Sequence, residues 1–346
     1  MSGPRHAAPD GDRPDGDRPD RGRLDGGRPG TAAAAPPADA RSYYGRPVIK
    51  SPVWEWGTAA YLFTGGLAAG TAVVAAGADL VGAHRLRRAC WLGSFAALLA
   101  SVGFLIDDLG RPERFHHMLR VAKPTSPMSV GTWILTAFGP GVGAAAVWEL
   151  LPARWRSSWP ARLLRGVSRG LGLTSAATAP GVATYTAALL SQTAVPGWNE
   201  VRGELPFVFA GSAAASGGGF GMLTAPLEEA RPARVFAAVG ATGELVASRV
   251  MEQRMGLVRE VYHSGSAGRR RRGAELLTVA GLAGTVLVGG RSRAGAAASG
   301  LALLVGSALQ RFGVFEAGVA STKDPRYTVV PQRERLDAEA RAAVGS

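Results

Sequence analysis

From residue 54 onward, long uncharged stretches alternate with short polar ones. No Asp, Glu, Lys or Arg falls within 56–78, 89–106, 124–148, 170–199 or 205–227, runs of 23, 18, 25, 30 and 23 residues. About 20 mostly apolar residues carry a helix across a bilayer core, and core helices of soluble proteins rarely run so long without charge. The pattern predicts eight spanning helices, over 54–82, 88–108, 128–151, 166–193, 205–225, 233–255, 274–291 and 294–319. The last three are interrupted. Glu244 and Arg249 fall in the sixth, Arg311 and Glu316 in the eighth, and the seventh has only 15 uncharged residues, Leu276–Gly290. It is retained because its Ala-Leu-Val-Gly composition suits lipid and an even count returns the chain to one side. The expected fold class is all-α, a polytopic protein passing several times through the cell membrane.

Tryptophans cluster at the expected helix ends: Trp54, Trp56, Trp91, Trp148, Trp155, Trp159 and Trp198. Their amphipathic rings favour the headgroup zone. Glycines recur inside the spans (Gly65-Gly66, Gly70, Gly217-Gly218-Gly219), which reads either as close helix packing or as a substrate-lined break. Residues 1–50 differ from the rest: GDRPD occurs twice in tandem, followed by RGRLDGGRPG and AAAAPPADA. With little to bury, this segment is expected to be disordered, and it has no apolar leader. The expected division is therefore a tail over 1–50, a membrane domain over 51–322 and a polar C-terminal tail over 323–346. Basic residues are shared almost evenly between the two sets of loops, so charge does not fix the orientation.

Composition changes the picture in two ways. A formal charge of +13 would suit a nucleic-acid binder, but the arginines sit between the apolar runs, at Arg85-Leu86-Arg87-Arg88, Arg154/Arg156 and Arg269–Arg272. Loops are expected there, and the expected partner is membrane lipid at its headgroups rather than nucleic acid. Cys90 is the only cysteine, which excludes internal disulfides and cysteine-held clusters. None of the five histidines lies mid-run, where a haem in a helical bundle would need its ligands, so neither metal nor haem is expected in this chain.

The segment Ile106-Asp107-Asp108-Leu109-Gly110-Arg111-Pro112-Glu113-Arg114-Phe115 closes the second helix. It reads either as a solvated helix end stopped by Pro112, or as an acid held at the membrane boundary where it exchanges protons with a buried ligand. Glu244, Arg249, Arg311 and Glu316 read as ion pairs within the bundle or as steps of a proton path.

Five stretches together carry a family resemblance: WEWGTAAYLFTGGLAAG (Trp54–Gly70); DDLGRPERF (Asp107–Phe115) with PTSPMSVGTWIL (Pro124–Leu135); TYTAALLSQTAVPGWN (Thr184–Asn199); LPFVFAGSAAASGG (Leu205–Gly218); and RFGVFEAGVASTKDPRYTVVPQ (Arg311–Gln332). In this order, over about residues 50–332, the chain resembles the NrfD/polysulphide-reductase membrane-subunit family, the eight-helix quinone-reactive subunits of respiratory oxidoreductases. The resemblance implies a menaquinone or ubiquinone site in a bundle of the first four helices, near the end that docks an iron–sulfur partner. It makes Tyr61 and Tyr185 the donors to the quinone carbonyls and Asp108 the proton acceptor or donor, with Trp198 and Asn199 shaping the rim. Tyr61 stands where some relatives have His. Without the resemblance, either Tyr reads equally as a packing aromatic. The implied partners are a ferredoxin-like iron–sulfur subunit and a molybdopterin catalytic subunit, and the chain is not catalytic alone.

Such a set suits the chemistry. Quinol oxidation releases electrons and protons together, so the ring oxygens need hydrogen-bond donors and a nearby proton acceptor. Phenols anchor carbonyls without placing a formal charge in an apolar pocket. Two other readings compete: a passive anchor that holds a reductase at the membrane, and a secondary transporter with spans broken at Ala179-Pro180-Gly181 and Gly217–Gly219.

Overall fold

The computed structural model describes residues 48–344 except 53, 110 and 157. The expected disordered tail, 1–50, lies almost wholly outside the described residues. The helices are α1 (Trp56–Leu80), α2 (His84–Asp107), α3 (Pro127–Leu150), α4 (Ala153–Arg156), α5 (Trp159–Ser191), α6 (Pro196–Asn199), α7 (Leu205–Thr224), α8 (Arg231–Arg254), α9 (Arg259–His263), α10 (Gly265–Leu287), α11 (Arg293–Ser321) and α12 (Arg326–Val344). No strand occurs among the described residues. The long helices α1, α2, α3, α5, α7, α8, α10 and α11 fall, in order, on the eight expected segments.

By length and composition, α1, α2, α3 and α11 can cross a membrane. This is an all-α membrane protein. The remaining long helices are less apolar for visible reasons: α5 opens with Arg162, Arg165 and Arg169, α8 and α10 carry internal charges, and α7 is rich in Gly and Ser. The arginine runs also correct an expectation. Arg85–Arg88 and Arg269–Arg272 occupy early turns of α2 and α10 rather than loops. Arginine is a good helix former, and its long stem lets the charge reach outward while the backbone stays helical. An apolar scan stops where charge begins; the helix does not.

Local chemistry sets the starts. Ser126 precedes Pro127, and its Oγ accepts from the Ser129 N–H at the head of α3. Ser292 likewise accepts from the Gly295 N–H at 3.2 Å to open α11.

α7 is the pivot of the packing, touching α1, α5, α8 and α11. Successive helical residues point about 100° apart, so the three consecutive glycines face three different neighbours. A Cβ on Gly217 would collide with the backbone of Gly70 in α1, one on Gly218 with Ala233 and Ala237 in α8, and one on Gly219 with Gly300 in α11. Their helix is continuous, as is α5 through Ala179-Pro180-Gly181. These glycines serve close packing, not a break.

At one end of the first helices, ions from four elements interlock. Arg87 of α2 bonds Asp79 of α1 at 3.0 Å and Glu149 of α3 at 2.7 Å, and Arg169 of α5 reaches Asp79 at 2.6 Å. The four charges cancel, and the network fixes the register of α1, α2, α3 and α5.

Candidate functional site: two seams among the first helices

At the opposite end of this group, α1 packs against both α2 and α5, while α3 packs against α5 and α2. Thr58, Tyr61 and Gly65 recur at helical spacing and so share one face of α1. Thr58 Oγ1 donates to Asp108 Oδ2 at 3.1 Å, tying the end of α2 to the first turn of α1. Two turns further on, Gly65 faces Ser101 of α2: a Cβ there would lie 3.2 Å from the Ser101 Oγ. Tyr61 sits between these contacts, 4% exposed, and its hydroxyl has no hydrogen-bond partner among the described residues. The Ser101 Oγ is likewise buried without a partner. Asp108 itself is exposed and reaches the seam through Thr58. The residues fit a ligand with carbonyl or hydroxyl oxygens: a buried, unpartnered serine hydroxyl and a phenol without a hydrogen bond lie on neighbouring helices, with an acid at the end of α2.

Tyr185 lies on α5 in a second seam, against α3. Gly131 makes the room, because a Cβ on it would overlap the Tyr185 ring. The Tyr185 hydroxyl is also unpaired among the described residues. No hydrogen bond or ring contact joins Tyr61 and Tyr185; the fold places them in adjacent seams of one helix group.

Trp198 and Asn199 form part of α6, which closes the same end. The Trp198 ring is fully buried, stacked 5.7 Å from Trp54 and tilted against Phe315 at 5.8 Å, and its Nε1 donates to the Val314 carbonyl at 2.9 Å. Asn199 Nδ2 donates to the Ser191 carbonyl at 3.0 Å, finishing α5. Gly197 is held from both sides: its N–H donates to Ser321 Oγ at 2.9 Å, and its carbonyl accepts from Tyr262 at 2.7 Å. Burial pushes the Tyr262 phenol up, so it remains a neutral donor. The turn is a clasp between the end of α5 and α11, and both side chains are engaged in it.

The four charged residues of the second half do not come together as one set. Arg249 is 70% exposed and pairs with Glu275 at 3.1 Å. Glu316 pairs with Arg270 at 2.9 Å. Glu244 and Arg311 are buried and form no ion pair within bonding distance among the described residues. Arg311 instead donates to the Phe209 carbonyl at 2.7 Å and lies 3.7 Å over the Phe209 ring. Gly66 of α1 leaves space for its guanidinium. The Glu244 Oε2, Thr278 Oγ1 and Gln310 Nε2 atoms lack partners and border a void of about 20 Å³, room for one water molecule.

Sequence reasoning did not single out Thr58, Ser101 or Gln310. Each is an uncharged polar residue whose role depends on which face it presents. The helical spacing of Thr58 and Tyr61 was the available signal.

The model of the family described as polysulphide reductase, NrfD, matches residues 48–233. That is more than half of the chain and includes every seam residue above. The chain belongs to the NrfD family. NrfD proteins are membrane subunits of quinone-linked reductases and associate with iron–sulfur and molybdopterin oxidoreductase subunits. No individual curated protein matches this chain. The match ends before Glu244, so the NrfD assignment rests on α1 to α7, while the C-terminal resemblance over Arg311–Gln332 lies outside it.

Proposed function

We propose that this NrfD chain binds a quinone, menaquinone or ubiquinone, among α1, α2, α3 and α5, with all eight long helices spanning the cell membrane. Bound there, the quinone supplies the coupled electron and proton chemistry. Tyr61 and Tyr185 donate hydrogen bonds to its oxygens, and Ser101 offers a third hydroxyl in the α1/α2 seam. Asp108, held by Thr58 one turn from Tyr61 and open to water, takes up or returns the proton. Trp198 and Asn199 brace the end of the site.

Electrons pass to or from a ferredoxin-like iron–sulfur subunit, itself joined to a molybdopterin catalytic subunit. The chain has one cysteine and, among the described residues, no cluster of His, Cys, Asp and Glu suited to a metal. The partner cluster must therefore approach the seam closely. Exposed Phe115, Leu119 and Val121, on the segment between α2 and α3, and Trp133 on α3, whose Nε1 donates to the Val121 carbonyl, suit a covered surface on that side. Glu244 and Arg311, buried with unpaired atoms, are the better candidates for a proton route through the second half; Arg249 pairs with Glu275 at its edge, and Glu316 pairs with Arg270 through Oε1 while its Oε2 has no partner.

The observation that carries the reading is the Thr58–Asp108 bond, which fixes an acid one turn from an unpaired buried phenol. The test is Tyr185→Phe in the intact complex. We expect quinol turnover to fall about tenfold, a loss on the scale of one hydrogen bond, with assembly unchanged. Unchanged turnover would remove Tyr185 from the site and favour a passive anchor.

A further inference from the structure

The seams leave unused a strongly basic groove of the described chain. Where α1, α2, α3 and α5 end opposite Asp108, a groove of about 470 Å³ is lined by Arg85, Arg88, Arg156, Arg162, Arg165 and Trp148. Its one acid, Glu149, is already taken by Arg87 at 2.7 Å. Nearby Asp79 is shared between Arg87 and Arg169. Glu229 lies at the α2 end, where its Oε2 accepts from the backbone N–H groups of Arg85 and Leu86; no ion pair among the described residues joins a carboxylate to the side chains of Arg88, Arg156, Arg162 or Arg165. The side chains of Arg85, Arg88, Arg162 and Arg165 are exposed and have no partner among the described residues.

Arg156 is fixed in place. Its Nε donates to the Leu151 carbonyl at 2.9 Å and its Nη2 to the Glu149 carbonyl at 2.8 Å, with the guanidinium 5.6 Å over Trp148. It caps the last turn of α3, so its charge is oriented but not neutralised.

The level of this groove is set by its neighbours. Trp155 and Trp159 are 60% and 72% exposed, and Val147, Leu150 and Leu163 are also exposed on the same helix ends. Exposed tryptophans bordering apolar helix surface mark the headgroup zone of a bilayer. A soluble anion would need only the arginines. The adjoining apolar surface also suits acyl chains.

We propose that this groove is a binding site for an anionic phospholipid, whose phosphodiester is held by Arg88, Arg156, Arg162 and Arg165 while its acyl chains lie along the exposed faces of α3 and α5. The proposal does not depend on the quinone reading.

The test uses the full chain in phosphatidylcholine nanodiscs or detergent, titrated with phosphatidylglycerol, phosphatidylcholine and inorganic phosphate, with bound lipid counted by native mass spectrometry. We expect saturable phosphatidylglycerol binding that weakens with salt, with phosphatidylcholine binding at least tenfold more weakly and phosphate displacing little lipid. Each arginine near the surface contributes about 1 kcal/mol toward an anionic lipid, so Arg88→Gln/Arg162→Gln/Arg165→Gln should bind on the order of 100-fold more weakly. An equal charge removal at the other end, Arg120→Gln/Arg202→Gln/Arg259→Gln, should leave binding unchanged. All six residues are exposed and unpartnered, so folding should survive. Equal binding of the two lipids, equal loss in both triple variants, or salt-independent binding by the unaltered chain would overturn the proposal. Complete displacement by phosphate would replace the lipid with a free anion as the occupant.

Discussion

In α1, α2, α3 and α5 the paired ions stop at one end, where Asp79, Arg87, Glu149 and the exposed Arg169 cancel one another. The other end of that group holds neutral hydroxyls: Thr58, Tyr61, Ser101 and Tyr185. The second group, α8, α10 and α11, instead carries charge within its helices. Glu252 of α8 bonds Arg271 of α10, with His263 3.6 Å away, and Glu244 and Arg311 are buried nearer α7. Charge inside lipid is costly unless paired, whereas an unpaired hydroxyl costs far less. A group built on spare neutral donors can receive a polar ligand at modest cost. The second group also keeps buried atoms without partners, on Glu244, Arg271, Thr278, Gln310, Arg311 and Glu316, but four of these six residues are ionisable and suit protons and water better than a neutral ring.

That contrast can be broken at its strongest point first. Gly70→Val should abolish folding, because the new side chain meets the Ala213 carbonyl and Gly217 where α1 packs on α7, the helix that also touches α8 and α11. Recovery of a normally assembled protein on size-exclusion chromatography would show that this contact can open. Next, Glu252→Gln removes the carboxylate bonded to Arg271, and should cost about 3–5 kcal/mol of stability while the folded fraction turns over quinol normally. Thermal unfolding alongside a turnover assay separates the two effects. The smallest expected change is Asp108→Asn. The amide keeps an oxygen for Thr58, so melting should be unaffected, but proton exchange is lost: turnover should slow about tenfold and its dependence on pH should change. A profile identical to that of the unaltered protein would leave Asp108 a helix-end residue only.

α1, α2, α3 and α11 were legible because a helix that crosses lipid is apolar over most of its length, and α5, α7, α8 and α10 were legible through their uncharged portions. Their starts were less so. α5 begins at Trp159 and α10 at Gly265, each several residues before charge disappears, since arginine neither breaks a helix nor stays at the depth of its own backbone. Tyr61, Asp108 and Tyr185 were legible through the family pattern, but their partners were not. Nothing local in Thr58 announces that its hydroxyl meets a carboxylate 50 positions away, and nothing in Gly131 announces the Tyr185 ring. Asp79 and Glu149 marked only where uncharged runs ended, yet with Arg87 they set the register of three helices. Such pairings depend on helix rotation, which an apolar pattern of low amphipathicity does not specify.

The most direct test of the quinone site is photoaffinity labelling of the native assembly with an azido-quinone, followed by peptide mapping. Labels confined to 56–65, 101–108 and 181–192, and suppressed by excess menaquinone, are the result predicted here. Labels confined to α8, α10 and α11, or a chain that takes no label while its partners do, would contradict it.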